Sequence, residues 1–142
     1  MFELVQFEPD HLLQFSNYGN QEHLVKLFSP DELLHLKIKG PAFTAIMNGI
    51  IVGCAGVVEI NPFRAVAWGL FQKTGTSAFL GIHRATANFL KNCTYRRIEA
   101  YVDPKSPAAM KWIQLLGFKL DKAYTPYFFP NGSGASTWAY YP

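Results

Sequence analysis

The sequence predicts an α/β (α+β) fold, in which helices pack on a mixed β-sheet. The chain has 142 residues, of which 49% are hydrophobic and 16% charged, and this composition fits one globular core. Signals for helix starts recur before residue 40, and the apolar pattern then changes to the short runs typical of strands. A three-stranded meander is followed by strands that alternate with helices, and such crossovers build a mixed sheet.

The bulk properties favour a reducing, cytoplasmic setting and no membrane span. No apolar run reaches the roughly 18 residues of a spanning helix, and the first residues lack the basic and apolar segments of a signal peptide. Cys54 and Cys93 lack metal-ligand spacing, and Cys54 lies in an apolar strand pattern typical of a buried free thiol. The net charge of +3 comes from scattered side chains, which does not favour a nucleic-acid partner.

The first 40 residues are predicted to form one strand and three helices. Residues 3–8 have the pattern of a strand, and Asp10 is a suitable N-cap for the helix that follows. Asn20 is the predicted cap of a second helix, which runs to residue 28. Ser29 and Pro30 form the start of a third helix, which is expected to end near residue 39 before Gly-Pro.

The middle of the chain is predicted to be a three-stranded meander. Residues 42–47 form its first strand, and Asn48-Gly49 is a strong hairpin signal. Residues 50–60 return as a nearly continuous apolar strand, which indicates burial on both faces. Residues 63–71 complete the meander.

The rest of the chain alternates between helices and strands. Residues 77–91 carry an apolar stripe at helical spacing, and residues 96–103 alternate as a strand does. Ser106-Pro107 starts a helix that ends at Gly117, a strand begins at residue 118, and residues 135–141 form the last strand.

A short loop of small and polar residues joins the third meander strand to the following helix. Its residues are Gln72, Lys73, Thr74, Gly75, Thr76 and Ser77. The loop contains a glycine and no acidic side chain, so it is either a plain turn or a cradle for an anionic ligand at a helix N-terminus. The residues alone leave both interpretations open.

The order of elements resembles that of the GCN5-related N-acetyltransferase (GNAT) superfamily over nearly the whole chain. Gln72, Gly75 and Ser77 fill the frame of that family's acyl-CoA loop, in which Ser77 replaces the usual glycine or alanine. The segment from Ser106 to Gly117-Phe118 resembles the family's closing helix. Within that helix Ile113 stands where many members have a tyrosine that protonates the departing thiolate.

The resemblance implies a single GNAT-like acyl-CoA-binding domain over residues 1–142, with a mostly antiparallel sheet and helices on both faces. It also implies acetyl-CoA as the acetyl donor and an amine, on a small molecule or a protein, as the acceptor. The residues that it assigns to the cofactor are Leu70, Phe71, Gln72, Lys73, Thr74, Gly75, Thr76, Ser77 and Ser106. The backbones of residues 69–71 are expected to polarise the thioester carbonyl.

Glu59 is the candidate general base, because it is the only carboxylate in the central meander. The alternative is a structural carboxylate at the end of a strand. A second functional hypothesis is a non-catalytic relative, since the short chain also resembles acetyltransferase-like bacteriophage proteins; it would then bind a virion or a host partner. A homodimer is a further expectation, because exposed sheet edges often pair.

Overall fold

The computed structural model describes residues 1–14, 29–72 and 75–142, and it has a mixed α+β architecture. Its strands are β1 (Phe2–Gln6), β2 (Ala42–Met47), β3 (Ile50–Asn61), β4 (Arg64–Phe71), β5 (Arg97–Val102), β6 (Lys119–Thr125) and β7 (Ala135–Tyr140). The helices within these ranges are α1 (Pro9–Leu13), α2 (Pro30–Ile38), α3 (Thr76–Asn92) and α4 (Pro107–Leu115).

The strands form one sheet in the order β1-β2-β3-β4-β5-β7-β6. The antiparallel pairs include β1 with β2, β2 with β3, β5 with β7, and β6 with β7. By contrast, β4 and β5 pair parallel, from Arg64↔Arg97 to Val66↔Glu99. The predicted fold class, a mixed and mostly antiparallel sheet with helices, is therefore confirmed. β1 and β6 are the edge strands, and the homodimer expected from such edges stays a prediction.

Local capping and turn signals explain where several elements begin and end. The Ser29 hydroxyl accepts a hydrogen bond from the Glu32 N–H at 3.2 Å, as expected for the N-cap of α2. Asn48 and Gly49 both have positive φ, of 52° and 81°, which is the backbone of a type I′ hairpin turn. Both features confirm predictions made from the sequence.

The prediction of Asp10 as the cap of the first helix is wrong. α1 begins at Pro9, with Glu8 in extended conformation as its N-cap, and the Glu8 N–H donates to His11 Nδ1 at 3.1 Å. Proline has no N–H to satisfy and has a helical φ, so it suits the first helical position and moves the start two residues towards the N-terminus. The helix predicted from Asn20 to residue 28 lies outside the described residues.

The described residues divide into two compact units, and the prediction of one domain over the whole chain stays a prediction. The first unit comprises residues 1–59 and 68–85, and the second comprises residues 60–67 and 86–142. The first unit is built around a buried apolar cluster, here called the first core. Its buried members are Phe7, Leu12, Leu33, Leu36, Cys54 and Leu70.

Helices cover both faces of the sheet in the first unit. Leu12 of α1 and Leu36 of α2 pack in the first core with Cys54 and Leu70, so these helices cover the face to which those strand residues point. On β1, the ring of Phe2 lies against Gly81 of α3, where an added Cβ would meet ring atoms at 2.7 Å. The second unit buries Ile98, Ile113, Phe118 and Trp138.

Candidate functional site

The loop between β4 and α3 is fastened to β3 by its first residue. The Gln72 N–H donates to the Val52 carbonyl at 3.0 Å, and the Gln72 side-chain amide donates to the Ile51 carbonyl at 2.5 Å. Gln72 is only 8% exposed. These contacts make Gln72 a residue that positions the loop, and its predicted contact with a cofactor stays a prediction.

Gly75 precedes the first residue of α3 in open space. Its carbonyl accepts a hydrogen bond from the Phe79 N–H at 3.1 Å, which places it at the N-cap of the helix. A Cβ built on Gly75 would meet no described heavy atom within 4 Å, and its φ lies outside the left-handed range. Neither crowding nor backbone conformation therefore requires glycine at this position, unlike at a glycine that serves a tight turn.

The start of α3 is open and carries no negative side chain. Thr76 and Ser77 are exposed, and the first turn of this 17-residue helix contains no acidic residue. The first N–H groups of a helix have no intrahelical acceptors, and the helix dipole gives them partial positive charge. This end of α3 is therefore suited to an anionic group. The predicted ligand residues Lys73 and Thr74 lie outside the described residues.

The last residues of β4 present backbone rather than reactive side chains. Leu70 is 4% exposed and belongs to the first core, so its side chain serves in packing. The ring of Phe71 lies over two glycines on the opposite face. An added Cβ would be 2.3 Å from ring atoms at Gly53 and 2.7 Å from them at Gly69. These glycines leave room for the ring beside the strand backbones.

Glu59 lies near the end of β3, and its side chain is exposed. Its N–H donates to the Lys39 carbonyl at 2.7 Å, which joins the strand to the C-terminal end of α2. The neighbouring Ile60 is 50% exposed as well. The catalytic role of Glu59 stays a prediction.

The closing helix α4 has the caps that the sequence predicts. The Ser106 hydroxyl accepts from the Ala109 N–H at 3.4 Å as its N-cap. At the other end Gly117 has a φ of 98°, and Phe118 N–H donates to the Ile113 carbonyl at 3.2 Å, as in a Schellman motif. Ser106 as a cofactor contact stays a prediction, and its hydroxyl still has a proton to donate.

Ile113 is 8% exposed and forms part of the interior of the second unit. Its hydrocarbon side chain can neither donate nor accept a proton. At the position where the family pattern often has a tyrosine, the chain therefore has a packing residue.

A network of charged side chains that the sequence analysis did not assign lies on β4 and β5. Glu99 is 6% exposed and accepts hydrogen bonds from Arg64, from Arg97 Nε at 3.0 Å and from the Tyr101 hydroxyl at 2.9 Å. The arginine contacts, above all that of Arg64, lower the pKa of Glu99 to about 2. The alternation of Arg97, Glu99 and Tyr101 places them on one face of β5, and this is the signal from which the network could have been predicted.

The same network limits what the Glu99 carboxylate can do. Arg97 also contacts Asp121 at 3.0 Å and the Tyr141 hydroxyl. Because Glu99 is ionised and surrounded by donors, it is suited to holding the strands together rather than to accepting a proton. Burial and the bond to Glu99 raise the pKa of Tyr101, so that its hydroxyl stays protonated.

Cys54 is the buried free thiol that the sequence predicts. It is fully buried, and burial raises the pKa of its thiol to about 11. Within the described ranges no cluster of three His, Cys, Asp or Glu side chains could hold a metal ion. No helix in those ranges is long and apolar enough to cross a membrane.

No protein-family model matches the sequence, and no curated protein matches it. Solved structures do match. Ard1 from Thermoplasma volcanium has a TM-score of 0.76 at 20% identity, covering 99% of this chain and 97% of that one. An N-acetyltransferase from Staphylococcus aureus Mu50 has a TM-score of 0.77 at 11% identity, with coverage of 99% and 97%.

An acetyltransferase of the GNAT family from Streptococcus pneumoniae has a TM-score of 0.70 at 14% identity and covers 99% of each chain. These named structures lend no support to the narrower resemblance to bacteriophage proteins. At such identities the likeness concerns the fold. This chain has the fold of the GNAT-family acetyltransferases.

Proposed function

We propose that this chain transfers the acetyl group of acetyl-CoA to an amine. The observation that carries the proposal is the glycine at position 75. It caps a 17-residue helix with no acid in its first turn, yet neither the described atoms around it nor its φ requires glycine. A ligand that approaches the backbone closely would explain the missing side chain. The CoA pyrophosphate is such a ligand, since its charge is complementary to the helix N-terminus. The likeness of fold to acetyltransferases supports the same ligand.

Acetyl transfer requires that a neutral amine attacks, that the thioester carbonyl is polarised and that the thiolate leaves. We assign binding of the pyrophosphate to the backbone of residues 73–77 and binding elsewhere on CoA to the Ser106 hydroxyl. We assign polarisation of the carbonyl to the backbone of residues 69–71. Glu59 is the proposed base, and its exposure lets it receive the amine proton directly or through water.

Ile113 cannot protonate the leaving thiolate, so the proton comes from solvent or from another acid. A positioned general acid typically raises the reaction rate by about a hundredfold or more. Without one at this position, turnover is expected to be slow relative to binding. If the chain binds acetyl-CoA and never transfers its acetyl group, it is the non-catalytic relative of the second functional hypothesis.

The test is calorimetry with acetyl-CoA on the Gly75→Asp variant. Aspartate is a better N-cap than glycine, so the variant should fold with unchanged or higher stability. Its negative charge next to a bound pyrophosphate should nevertheless weaken binding by at least about tenfold. Asn88→Asp is the matched control, because it makes the same charge change at an exposed position of α3, one turn before Asn92. Equal affinity of Gly75→Asp and wild type would refute the pyrophosphate site.

A further inference from the structure

One buried side-chain nitrogen in the described part of the chain has no hydrogen-bond partner. This atom is Nε1 of Trp68, the indole nitrogen of a β4 residue. Leaving a buried donor unpaired destabilises a fold appreciably, so such atoms call for an explanation. A ligand that supplies the missing acceptor would provide one.

The surroundings of Trp68 account for the absence of a partner among the described residues. Trp68 packs against the first core, and its ring meets that of Phe7 edge to face at a centroid distance of 5.1 Å. The first core consists of aliphatic and aromatic side chains and the Cys54 thiol, and none of these offers an oxygen acceptor. By contrast, Nε1 of the buried Trp138 donates to the Ser136 hydroxyl at 2.8 Å.

The position of Trp68 along the chain connects it to the proposed acetyl-CoA site. It directly precedes residues 69–71, whose backbones are assigned to the thioester carbonyl, and Gln72, which fastens the loop to β3. Its apolar surroundings favour an uncharged acceptor oxygen, because an ion would lose most of its hydration there. A thioester carbonyl is such an acceptor.

We propose that Trp68 Nε1–H donates a hydrogen bond to the acetyl carbonyl oxygen of bound acetyl-CoA. This inference rests on the proposed function. When the amine nitrogen bonds to the carbonyl carbon, the carbonyl π electrons move onto the oxygen, and the indole N–H stabilises the charge that develops there. As the C–S bond breaks, the electrons return to the C–O bond, the sulfur leaves as a thiolate, and the amine nitrogen loses its proton to Glu59 directly or through water.

The first test is a ¹H–¹⁵N spectrum of the indole groups of the whole protein, with acetyl-CoA and with CoA as probes. CoA lacks the carbonyl and is otherwise the same ligand. The Trp68→Phe variant assigns the resonance of interest, and Trp138 is the internal control because its N–H is already bonded. We expect acetyl-CoA to shift the Trp68 proton downfield and CoA to leave it unchanged.

The second test measures affinities by calorimetry. One hydrogen bond should make wild type bind acetyl-CoA about fivefold more tightly than CoA. Replacing Trp68 by β-(3-benzothienyl)alanine exchanges the N–H for sulfur and keeps the shape of the ring, so this variant should bind both ligands equally. Binding of neither ligand to wild type would overturn the proposed function together with this inference. Binding of both with equal affinity and an unmoved Trp68 resonance would overturn this inference alone.

Discussion

Replacing Glu99 by glutamine should lower stability by an amount that depends on pH. The pKa of this carboxyl falls from its ordinary 4.5 to about 2 in the folded chain, chiefly because of the Arg64 contact. A shift of this size corresponds to about 3 kcal/mol at neutral pH. Because the folded pKa is the lower one, the stabilisation is complete above the ordinary pKa and is lost as pH falls towards 2.

The geometry makes this value an upper limit for the Glu99→Gln variant, so the losses expected below are upper limits as well. The side chain of Glu99 is 8% exposed, whereas those of Arg64 and Arg97 are 40% and 28% exposed and can return to water. The variant leaves no buried, unpaired cation, so the larger penalties measured for broken buried pairs do not apply. We expect a loss of at most about 3 kcal/mol at pH 7 and at most about half of that at pH 3.

Urea unfolding, followed by circular dichroism at pH 7, 5, 4 and 3, measures the free energies of unfolding of wild type and of Glu99→Gln. Asp121→Asn is the control, because Asp121 contacts the same Arg97 but its side chain is 50% exposed. An exposed pair contributes less than about 1 kcal/mol, so this variant should differ little from wild type at each pH. A wild-type advantage over Glu99→Gln that stays constant from pH 7 to pH 3 would refute the assigned pKa.

Two further predictions follow from contacts in the first unit. Gly81→Ala places a methyl group 2.7 Å from ring atoms of Phe2, so it should lower the free energy of unfolding by about 1 kcal/mol. In a Phe2→Ala background the same change should instead raise the free energy of unfolding by about 1 kcal/mol, because alanine has the higher helix propensity. Urea unfolding of wild type, the two single variants and the double variant tests this reversal of sign. Glu59→Gln should keep acetyl-CoA affinity and should slow thiol release most below neutral pH, where free amine is scarce. Equal rates at every pH would give Glu59 a structural role.

The elements that the sequence predicts well have signals within a few residues. Ser29 lies three residues before Glu32, and the two form a capping box within one turn. Asn48-Gly49 adopts its turn because both residues tolerate positive φ. The error at Asp10 is of the same kind, since Pro9 and Asp10 both favour a helix start and only the packed chain decides between them.

Features of the candidate site that depend on distant residues are less predictable. The side chain of Gln72 points inward because the Ile51 carbonyl, 21 residues earlier, accepts its amide hydrogen. Glu59 is exposed although apolar residues flank it, because strand sequence does not reveal which face or which end will be covered. Local patterns therefore predict where the loop and the strand lie and leave the orientation of their side chains to the fold.

Glycines show how the structure separates packing from binding. Gly53 and Gly69 are explained by the ring of Phe71, which occupies the space of their missing side chains. Gly75 also lacks a side chain, but no ring or other described atom occupies the space that a Cβ would take. Trp68 and Trp138 differ in the same way, since the Trp138 indole N–H donates to the Ser136 hydroxyl and the Trp68 indole N–H has no partner in the described part of the chain. Residues that folding leaves unexplained are the ones at which a ligand can account for the choice of amino acid. Trp68 and Gly75 are two such residues, and they lie on either side of the end of β4.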